Sequence, residues 1–438
     1  MKSKSPALSL RERVARQRRV RGLEESLPSI PSPALRALSP GGRGLLMILS
    51  IAAVLLLFFL STAAVSVDSL KASVAWLTDP ARVGRMAGSS GAIDASEYIA
   101  NKLKALGFET RLQEFGSGRR NVVGKFGSAR RALLIGSHFD GQGQGMPSAS
   151  DNAAGVAVLL ELARELKDQR LPVSVIVAAF DDEEQGLRGS RYYVENPIYP
   201  IEDIMAAVIL DTLGRSFVDL PTWSLVALGT EYSPEIEASV KKRSRPELIA
   251  IGTDLVGPRS DFAPFALRKV PYVFFTNGTH KDYHGPQDTA DRIQYDRLRS
   301  DATTILDVAT DIARLPAPPT FREEPVYPAS EKLLLVRYFD ELEKNRSDLA
   351  PAYTLAFADL RQRINSASSR ETIRMATTSI LAAATPRLSG FALSLFVGPF
   401  YERAQKKDIA IAVYEEALKW TEGDIARQQL EQKIRSLR

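Results

Sequence analysis

The chain has 438 residues, of which 45% are hydrophobic and 25% charged, an ordinary globular composition with room for two folded units and tails. It contains no cysteine, which excludes disulfides, thiolate metal sites and a lipid anchor on cysteine. The net charge is +5, but residues 1–44 alone carry ten basic and three acidic residues. The rest of the chain is therefore slightly acidic and lacks the excess of basic residues that is typical of a nucleic-acid-binding domain.

The N-terminal 66 residues predict a basic, disordered cytoplasmic tail (residues 1–44) and then a transmembrane anchor or signal segment (residues 45–66). Residues 45–65 carry no charge and are long enough to span a bilayer as a helix. Since the positive flank comes first, we expect a single pass through a bacterial-type inner membrane, with the catalytic domain periplasmic or extracellular. A cleaved signal peptide and a later start at Met47 are the alternatives.

Strands and helices alternate through residues 67–314. Amphipathic helical patterns alternate with short apolar runs that are typical of buried strands. This alternation predicts an α/β fold with three α/β/α layers and a mostly parallel central sheet, whose ligands bind at the carboxyl ends of the strands. The predicted strands are residues 121–126, 132–139, 174–180, 206–211 and 271–276, and the predicted helices are 69–77, 95–108, 152–167, 188–196, 234–243 and 291–314.

The last third of the chain has a different pattern. Residues 315–328 are dense in proline and predict a linker. Residues 329–438 show only helical periodicity, which predicts a helical domain or an all-helical extension packed on the catalytic unit. Its role and any protein partner of this region are not evident from the sequence.

Candidate metal ligands begin with His138, which follows an apolar strand. Asp140 lies two residues later, so an extended chain points both side chains to one face, where Asp140 can hold the second imidazole nitrogen. The alternative is an ordinary polar strand end. Asp151 precedes a helix and is either a simple helix N-cap or a carboxylate that bridges two cations.

Four consecutive acidic residues, 181–184, follow the next buried strand, where they are costly unless solvated or paired with a cation. Neighbouring side chains of an extended chain point in opposite directions. Glu184 can therefore bind a metal while Glu183 faces the reacting water as a general base. The alternative is a solvated acidic turn.

Two further candidates are Asp211, at the end of a third apolar strand, and His284, in a turn before Gly285 and Pro286. His280 is interpreted as a loop histidine. The five ligand-type residues, with one carboxylate shared, can hold two divalent cations, which make water a nucleophile at neutral pH. The sequence therefore predicts a hydrolase. The ligand-type residues are His138, Asp151, Glu184, Asp211 and His284.

Over residues 70–314 the chain resembles the co-catalytic di-zinc aminopeptidases, which include bacterial leucyl aminopeptidases and the glutamate carboxypeptidase II and glutaminyl cyclase group. The resemblance rests on the motifs SHFD, SDNAAG, DDEEQGLRGS, LDTLG and YHGPQDT. One departure is Phe262, which stands where the family motif Ser-Asp-His has its histidine.

This resemblance implies two Zn²⁺ ions per chain. One would be held by His138, Asp151 and Asp211, and the other by Asp151, Glu184 and His284. It also implies that Glu183 is the general base, that Tyr283 polarises the scissile carbonyl, and that the bond between Asp151 and Asn152 is cis.

The expected function is an exported, membrane-anchored aminopeptidase acting on peptides with a free N-terminus. One alternative is a glutaminyl cyclase of the same fold, which uses a single zinc and departs from the Asp-Asn-x-x-Gly pattern that residues 151–155 keep. Another is a non-catalytic adaptor that acts through the helical C-terminus.

Overall fold

The computed structural model describes residues 65–438 except 144, 244, 367 and 368, with the backbone alone at 386–388. Residues 1–44 and nearly all of the predicted membrane segment 45–66 lie outside this range. In the part of the chain that is described, no helix combines the length and the apolar character needed to cross a bilayer.

An eight-stranded sheet forms the centre of the fold. Its order is β1-β2-β4-β3-β5-β8-β6-β7, and the central strands β4, β3, β5 and β8 run parallel to one another. The antiparallel pairs are β1 with β2, β2 with β4, and β6 with β8. The strands are β1 Glu109–Gly116, β2 Arg119–Phe126, β3 Ala132–His138, β4 Ser174–Phe180, β5 Ile204–Leu210, β6 Leu225–Leu228, β7 Leu248–Ala250 and β8 Tyr272–Thr276.

Helices cover both faces of this sheet, because its central strands are apolar on both sides. Leu133 and Ile135 of β3 belong to one apolar core, and Leu134 between them belongs to the other. The predicted α/β class with a mostly parallel sheet is therefore confirmed. The helices of this region are α1 Val67–Leu77, α2 Ser90–Ala105, α3 Ala154–Lys167, α4 Arg188–Glu195, α5 Pro234–Lys242, α6 Phe262–Leu267 and α7 Tyr295–Ala313.

Strand β3 lies where the order of the strands reverses, with β4 on one side and β5 on the other. Strands β3, β4 and β5 are buried along their full length. In open parallel sheets the crevice at such a reversal is the usual place for a ligand. The topology thus brings the carboxyl ends of the three strands that precede the candidate ligands to one edge.

The C-terminal part is helical, as predicted, and it packs on the sheet through a shared core. Phe339 and Phe357 are fully buried in the apolar core that also contains Leu134 of β3. The ring of Tyr338 lies 4.7 Å from that of Phe217, which belongs to the sheet region. The helices are α8 Ser330–Asn345, α9 Pro351–Ser366, α10 Arg370–Ala384, α11 Pro386–Ala392, α12 Gly398–Arg403, α13 Lys407–Trp420 and α14 Asp424–Leu437.

The proline-dense segment 315–328 follows the surface of the sheet region. The backbone N–H of Arg322 donates to the carbonyl of Tyr232 (2.7 Å), and that of Val326 donates to the carbonyl of Glu231 (2.9 Å). The ring of Phe321 stacks on Tyr232, with 5.3 Å between centroids. These contacts fix the path of the segment between α7 and α8.

Arg370 at the start of α10 connects the helical region to the loop after β7. Its guanidinium pairs with both carboxylate oxygens of Asp254 and with Glu331, at 2.5 Å from the latter. It also lies 3.5 Å from the centre of the Tyr327 ring. A planar guanidinium that binds two carboxylates and an aromatic face is strongly fixed in position.

We predict that Arg370→Met lowers the free energy of unfolding by about 1–3 kcal/mol, because the largely buried Glu331 loses its ion pair and Asp254 is left with the exposed Arg374. The matched control is Arg374→Met. Arg374 also pairs with Asp254, but its side chain is 51% exposed, so its loss costs less than about 1 kcal/mol. Urea unfolding measures both variants, and equal losses would contradict this reading of the network.

Candidate metal centre

The carboxyl ends of β3, β4 and β5 bring the predicted ligands together. His138 is the last residue of β3, and Asp211 immediately follows β5. Glu184 lies in the turn after β4. Asp151 and His284 come from loops that reach the same edge, so all five predicted ligands share one place in the fold.

The first candidate group contains His138, Asp151 and Asp211. Nε2 of His138 lies 3.2 Å from an oxygen of Asp151 and 3.2 Å from an oxygen of Asp211. Two ligands of a tetrahedral zinc, each about 2.0–2.1 Å from the metal, lie about 3.3 Å apart. The spacing of these atoms therefore fits a metal between them.

The second candidate group contains Asp151, Glu184 and His284. Nε2 of His284 lies 2.9 Å from Oδ2 of Asp151 and 3.3 Å from Glu184. Asp151 thus turns one oxygen towards each histidine, which is the geometry of a bridging carboxylate. The alternative interpretation as a helix N-cap is wrong: α3 begins at Ala154, and the side chain that accepts from an N–H of its first turn is Asn152, not Asp151.

The backbone at Asp151 is unusual, since the bond between Asp151 and Asn152 is cis, as the resemblance implies. Oδ1 of Asn152 accepts a hydrogen bond from the N–H of Gly155, and its Nδ2 donates to the carbonyl of Leu210 at the end of β5. Asn152 therefore ties the loop before α3 to the strand that carries Asp211.

Several polar atoms of this cluster lack a hydrogen-bond partner although they are buried among the described residues. They include Oε1 of Glu184, and also Oδ2 of Asp151 and Nε2 of His284, which lie 2.9 Å apart without the geometry of a hydrogen bond. Buried polar atoms nearly always make a hydrogen bond, so a cluster of buried atoms without one calls for an explanation. Imidazole and carboxylate are common zinc ligands, and a pair of divalent cations would satisfy these atoms, so the residues fit the predicted metals.

The electrostatics of the cluster also favour bound cations. Burial, together with the neighbouring Asp151 carboxylate, raises the pKa of Glu184 above its ordinary value. Burial likewise raises the pKa of Glu183. A divalent cation among these carboxylates would act in the opposite direction, because it favours their charged form.

Asp140 holds two of the strand ends together. Its carboxylate accepts hydrogen bonds from the backbone N–H groups of Glu183 (3.1 Å) and Glu184 (3.2 Å). The same carboxylate lies 3.4 Å from Nδ1 of His138. Asp140 is therefore placed to orient His138, as the spacing in the sequence suggests, and it also fixes the backbone of both glutamates.

Glu183 lies beside the cluster but outside both ligand groups. Its Oε2 is 4.0 Å from Nε2 of His138, and its side chain is 10% exposed. This position leaves the carboxylate near the cluster with access to the adjoining cavity. It is where a group that exchanges protons with a reacting water would need to be.

Tyr283 stacks on His284 with 3.8 Å between ring centroids. Burial and the surrounding carboxylates, Asp151 first among them, raise the pKa of the Tyr283 phenol well above its ordinary value. The phenol therefore keeps its proton at neutral pH and can donate a hydrogen bond.

His280 is placed differently from the two candidate ligands. Its Nδ1 accepts from the backbone N–H of Asp282, so Nε2 carries the proton and donates to Oγ of Ser150 at 2.6 Å. Burial lowers the pKa of His280 to about 4. It belongs to neither ligand group and supports the residue before Asp151.

Sequence reasoning missed the residues that support the ligands. Asp288 accepts from the N–H groups of Ser150 (3.0 Å) and Asp151 (3.3 Å). Oγ of Ser260 donates to Asp211 at 2.7 Å. Asp288 lies inside the motif YHGPQDT, and Ser260 begins the Ser-Asp-Phe segment that stands in place of the family motif Ser-Asp-His. Both positions were therefore marked in the sequence, but the motifs did not show what these side chains contact.

Arg85 is the largest side chain without solvent exposure, and it was also missed. Its guanidinium donates to four backbone carbonyls, those of Leu77, Phe139, Pro147 and Ser148, at 2.7–3.0 Å. The carbonyls of Phe139, Pro147 and Ser148 lie at the two ends of the connection between His138 and Asp151, and that of Leu77 is at the end of α1. Arg85 therefore holds both ends of this connection against α1.

Comparison with known proteins supports this reading of the site. Residues 121–309 match the model of peptidase family M28, and this range contains all five candidate ligands. The chain is 24% identical to the uncharacterized protein YfbL of Escherichia coli over 272 residues, which are 53% of this chain and 84% of YfbL. It is 30% identical to the probable lipoprotein aminopeptidase LpqL of Mycobacterium tuberculosis over 215 residues, which are 42% of each chain.

Among solved structures, the chain is similar to the aminopeptidase from Aneurinibacillus sp. strain AM-1. The identity is 17%, the match covers 60% of this chain and 97% of that one, and the TM-score is 0.50. At this identity the likeness shows the fold alone. Together, the comparisons confirm the predicted resemblance to a family of metallopeptidases.

We predict that Asp151→Ala abolishes the binding of both metals, because each candidate group loses a ligand. Asp211→Asn, which alters the first group alone, should retain one equivalent. Metal analysis of the purified variants measures the zinc content. Two equivalents in Asp151→Ala would show that Asp151 does not bridge the sites.

Proposed function

We propose, from the match of residues 121–309 to the model of peptidase family M28, that the protein is a two-zinc aminopeptidase that removes N-terminal residues from peptides. The observation that carries this proposal is the pair of candidate ligand groups that meet at Asp151. Two zinc ions held there would supply the Lewis acidity that activates water and polarises a peptide carbonyl.

The protein's own residues would then act as follows. Glu183 accepts the proton of the attacking water on Oε2 and returns it to the leaving amine. Asp140 keeps the backbone of Glu183 in place through its hydrogen bond to the N–H. The protonated Tyr283 donates to the scissile carbonyl as negative charge develops on its oxygen.

The two alternatives fit the observations less well. A glutaminyl cyclase with one zinc would need only one complete group, whereas both groups have their imidazole and carboxylates within 4.8 Å of one another. A non-catalytic adaptor would have no need to keep both sets of ligands together. The zinc content of the purified protein distinguishes the three proposals: two equivalents favour the peptidase, one the cyclase and none the adaptor.

The proposal also includes membrane anchoring through residues 45–65, with the catalytic region outside the cytoplasm. The support is the uncharged run of residues 45–65 directly after a basic stretch. We expect the full chain to remain with the membrane fraction after an alkaline carbonate wash. Recovery in the soluble fraction, with a mature N-terminus near residue 66, would favour the cleaved signal peptide instead.

We predict that Glu183→Gln lowers kcat by about 10²–10⁴-fold while both zinc ions remain bound, because the amide cannot accept the proton of water. Aminoacyl chromogenic substrates, assayed with and without a chelator, measure this loss. The matched control is Glu195→Gln on the exposed end of α4, which should keep full activity. Full activity in Glu183→Gln would remove this residue from the proposed role.

A further inference from the structure

The two candidate ligand groups differ in how their ligands are supported by other side chains. In the first group, Asp211 accepts hydrogen bonds from the hydroxyls of Ser260 (2.7 Å) and Thr212 (3.0 Å). Nδ1 of His138 lies 3.4 Å from the carboxylate of Asp140. Both ligands that belong to this group alone therefore have a polar partner outside the cluster, and such partners orient a ligand and strengthen the binding of a metal.

The second group has much less support. His284 is 33% exposed, and its imidazole has no polar partner among the described residues apart from Asp151 and Glu184, which are members of its own group. Glu184 has one partner outside the group, since Nε2 of Gln142 donates to its Oε2 at 2.5 Å. In the described part of the chain, Gln142 is thus the one side chain that supports a ligand belonging to the second group alone.

The backbone around Gln142 is held closely on both sides. The N–H of Gly141 donates to the carbonyl of Arg85, and the N–H of Gly143 donates to the carbonyl of Gly84, each at 3.1 Å. A Cβ at position 141 or 143 would come within 2.7 Å of a neighbouring side chain, so the two segments can lie this close only because both residues are glycine. The side chain of Gln142 therefore extends towards Glu184 from a backbone with a fixed position.

The chemistry of the Gln142 amide suits this position. A carboxylate ligand can only accept hydrogen bonds, and the amide of glutamine donates one without adding charge. A carboxylate in its place would add to the repulsion in the cluster, and an ammonium group would compete with a cation for Glu184. The bond occupies Oε2 of Glu184, while Oε1 stays buried without a hydrogen bond. Gln142 therefore fixes the rotation of this carboxylate and leaves one of its oxygens unoccupied.

We propose that Gln142 is a positioning residue of the second ligand group and that its amide determines how tightly this group holds its cation. The inference rests on the two-zinc site of the proposed function. Loss of a partner that orients a metal ligand typically weakens metal binding by about 10–100-fold. The first group has its own supporting side chains, so its affinity does not depend on Gln142.

Gln142→Met tests this proposal, because it removes the amide and keeps an unbranched side chain of similar length. The metal-free full chain is titrated with Zn²⁺ against a chromophoric chelator. One equivalent should bind about 10–100-fold more weakly than in the wild type, and the other should change by less than about threefold. The matched control is Gln287→Met, at an exposed glutamine three residues after His284 that belongs to neither group, and both equivalents should bind as in the wild type.

Variants that alter one group at a time show which cation is affected. Asp211→Asn should retain the cation of the second group, and adding Gln142→Met should weaken its binding by about 10–100-fold. His284→Ala should retain the cation of the first group, and adding Gln142→Met should change its affinity by less than about threefold. The absorption spectrum of bound Co²⁺ gives a readout independent of turnover: Gln142→Met should alter the spectrum in the Asp211→Asn background and not in the His284→Ala background.

The outcomes separate positioning from folding, and this inference from the proposed function. Gln142→Met should leave the melting temperature of the metal-free protein unchanged. A lower melting temperature there, or equal weakening of both equivalents, would make Gln142 a purely structural residue and overturn the inference, and so would unchanged affinity for both equivalents. If the wild-type protein binds fewer than two equivalents, the proposed two-zinc site fails and the inference fails with it, a result that the wild type gives without any variant.

Discussion

The structure depends on one electrostatic constraint: the three carboxylates and two imidazoles of the candidate ligand groups are crowded at a single edge of the sheet, with Asp151 between the imidazoles. Carboxylates forced this close together repel one another and lose their hydration. The orphaned atoms of Glu184 and His284 show that the protein does not satisfy the cluster with its own hydrogen bonds. Cations resolve this conflict, which is why the arrangement indicates a metal centre rather than a network that merely stabilises the fold.

The supporting residues hold the backbone as well as the side chains. Asp140 accepts from the backbone beyond β4, Asp288 accepts from the backbone at Asp151, and Arg85 donates to carbonyls at both ends of the connection between His138 and Asp151. Charged groups can be buried in this way because each is matched to several backbone dipoles. As a result, candidate ligands from segments far apart in the chain are held with their ligand atoms at distances near those around a tetrahedral metal.

The two cores of the fold have different relations to the site. The core on one face contains α1, α2, α3, α5 and α7, and it supports the strands that carry the ligands. The core on the other face continues from the sheet into the C-terminal helices. Because that second core ends at the cavity, the helices that stabilise the sheet also shape the space beside the metal cluster.

The sequence by itself determined the α/β class, the buried strands and the five candidate ligands, because apolar runs that end in His138 or Asp211 are local signals. It did not determine β1, β6 or β7. Strand β1 is an edge strand with mostly exposed residues, and β6 and β7 are only four and three residues long. Only the tertiary structure decided that Arg85 holds both ends of the connection between His138 and Asp151 and that Tyr338 faces the cavity, because such contacts between distant segments leave no periodic trace in the chain.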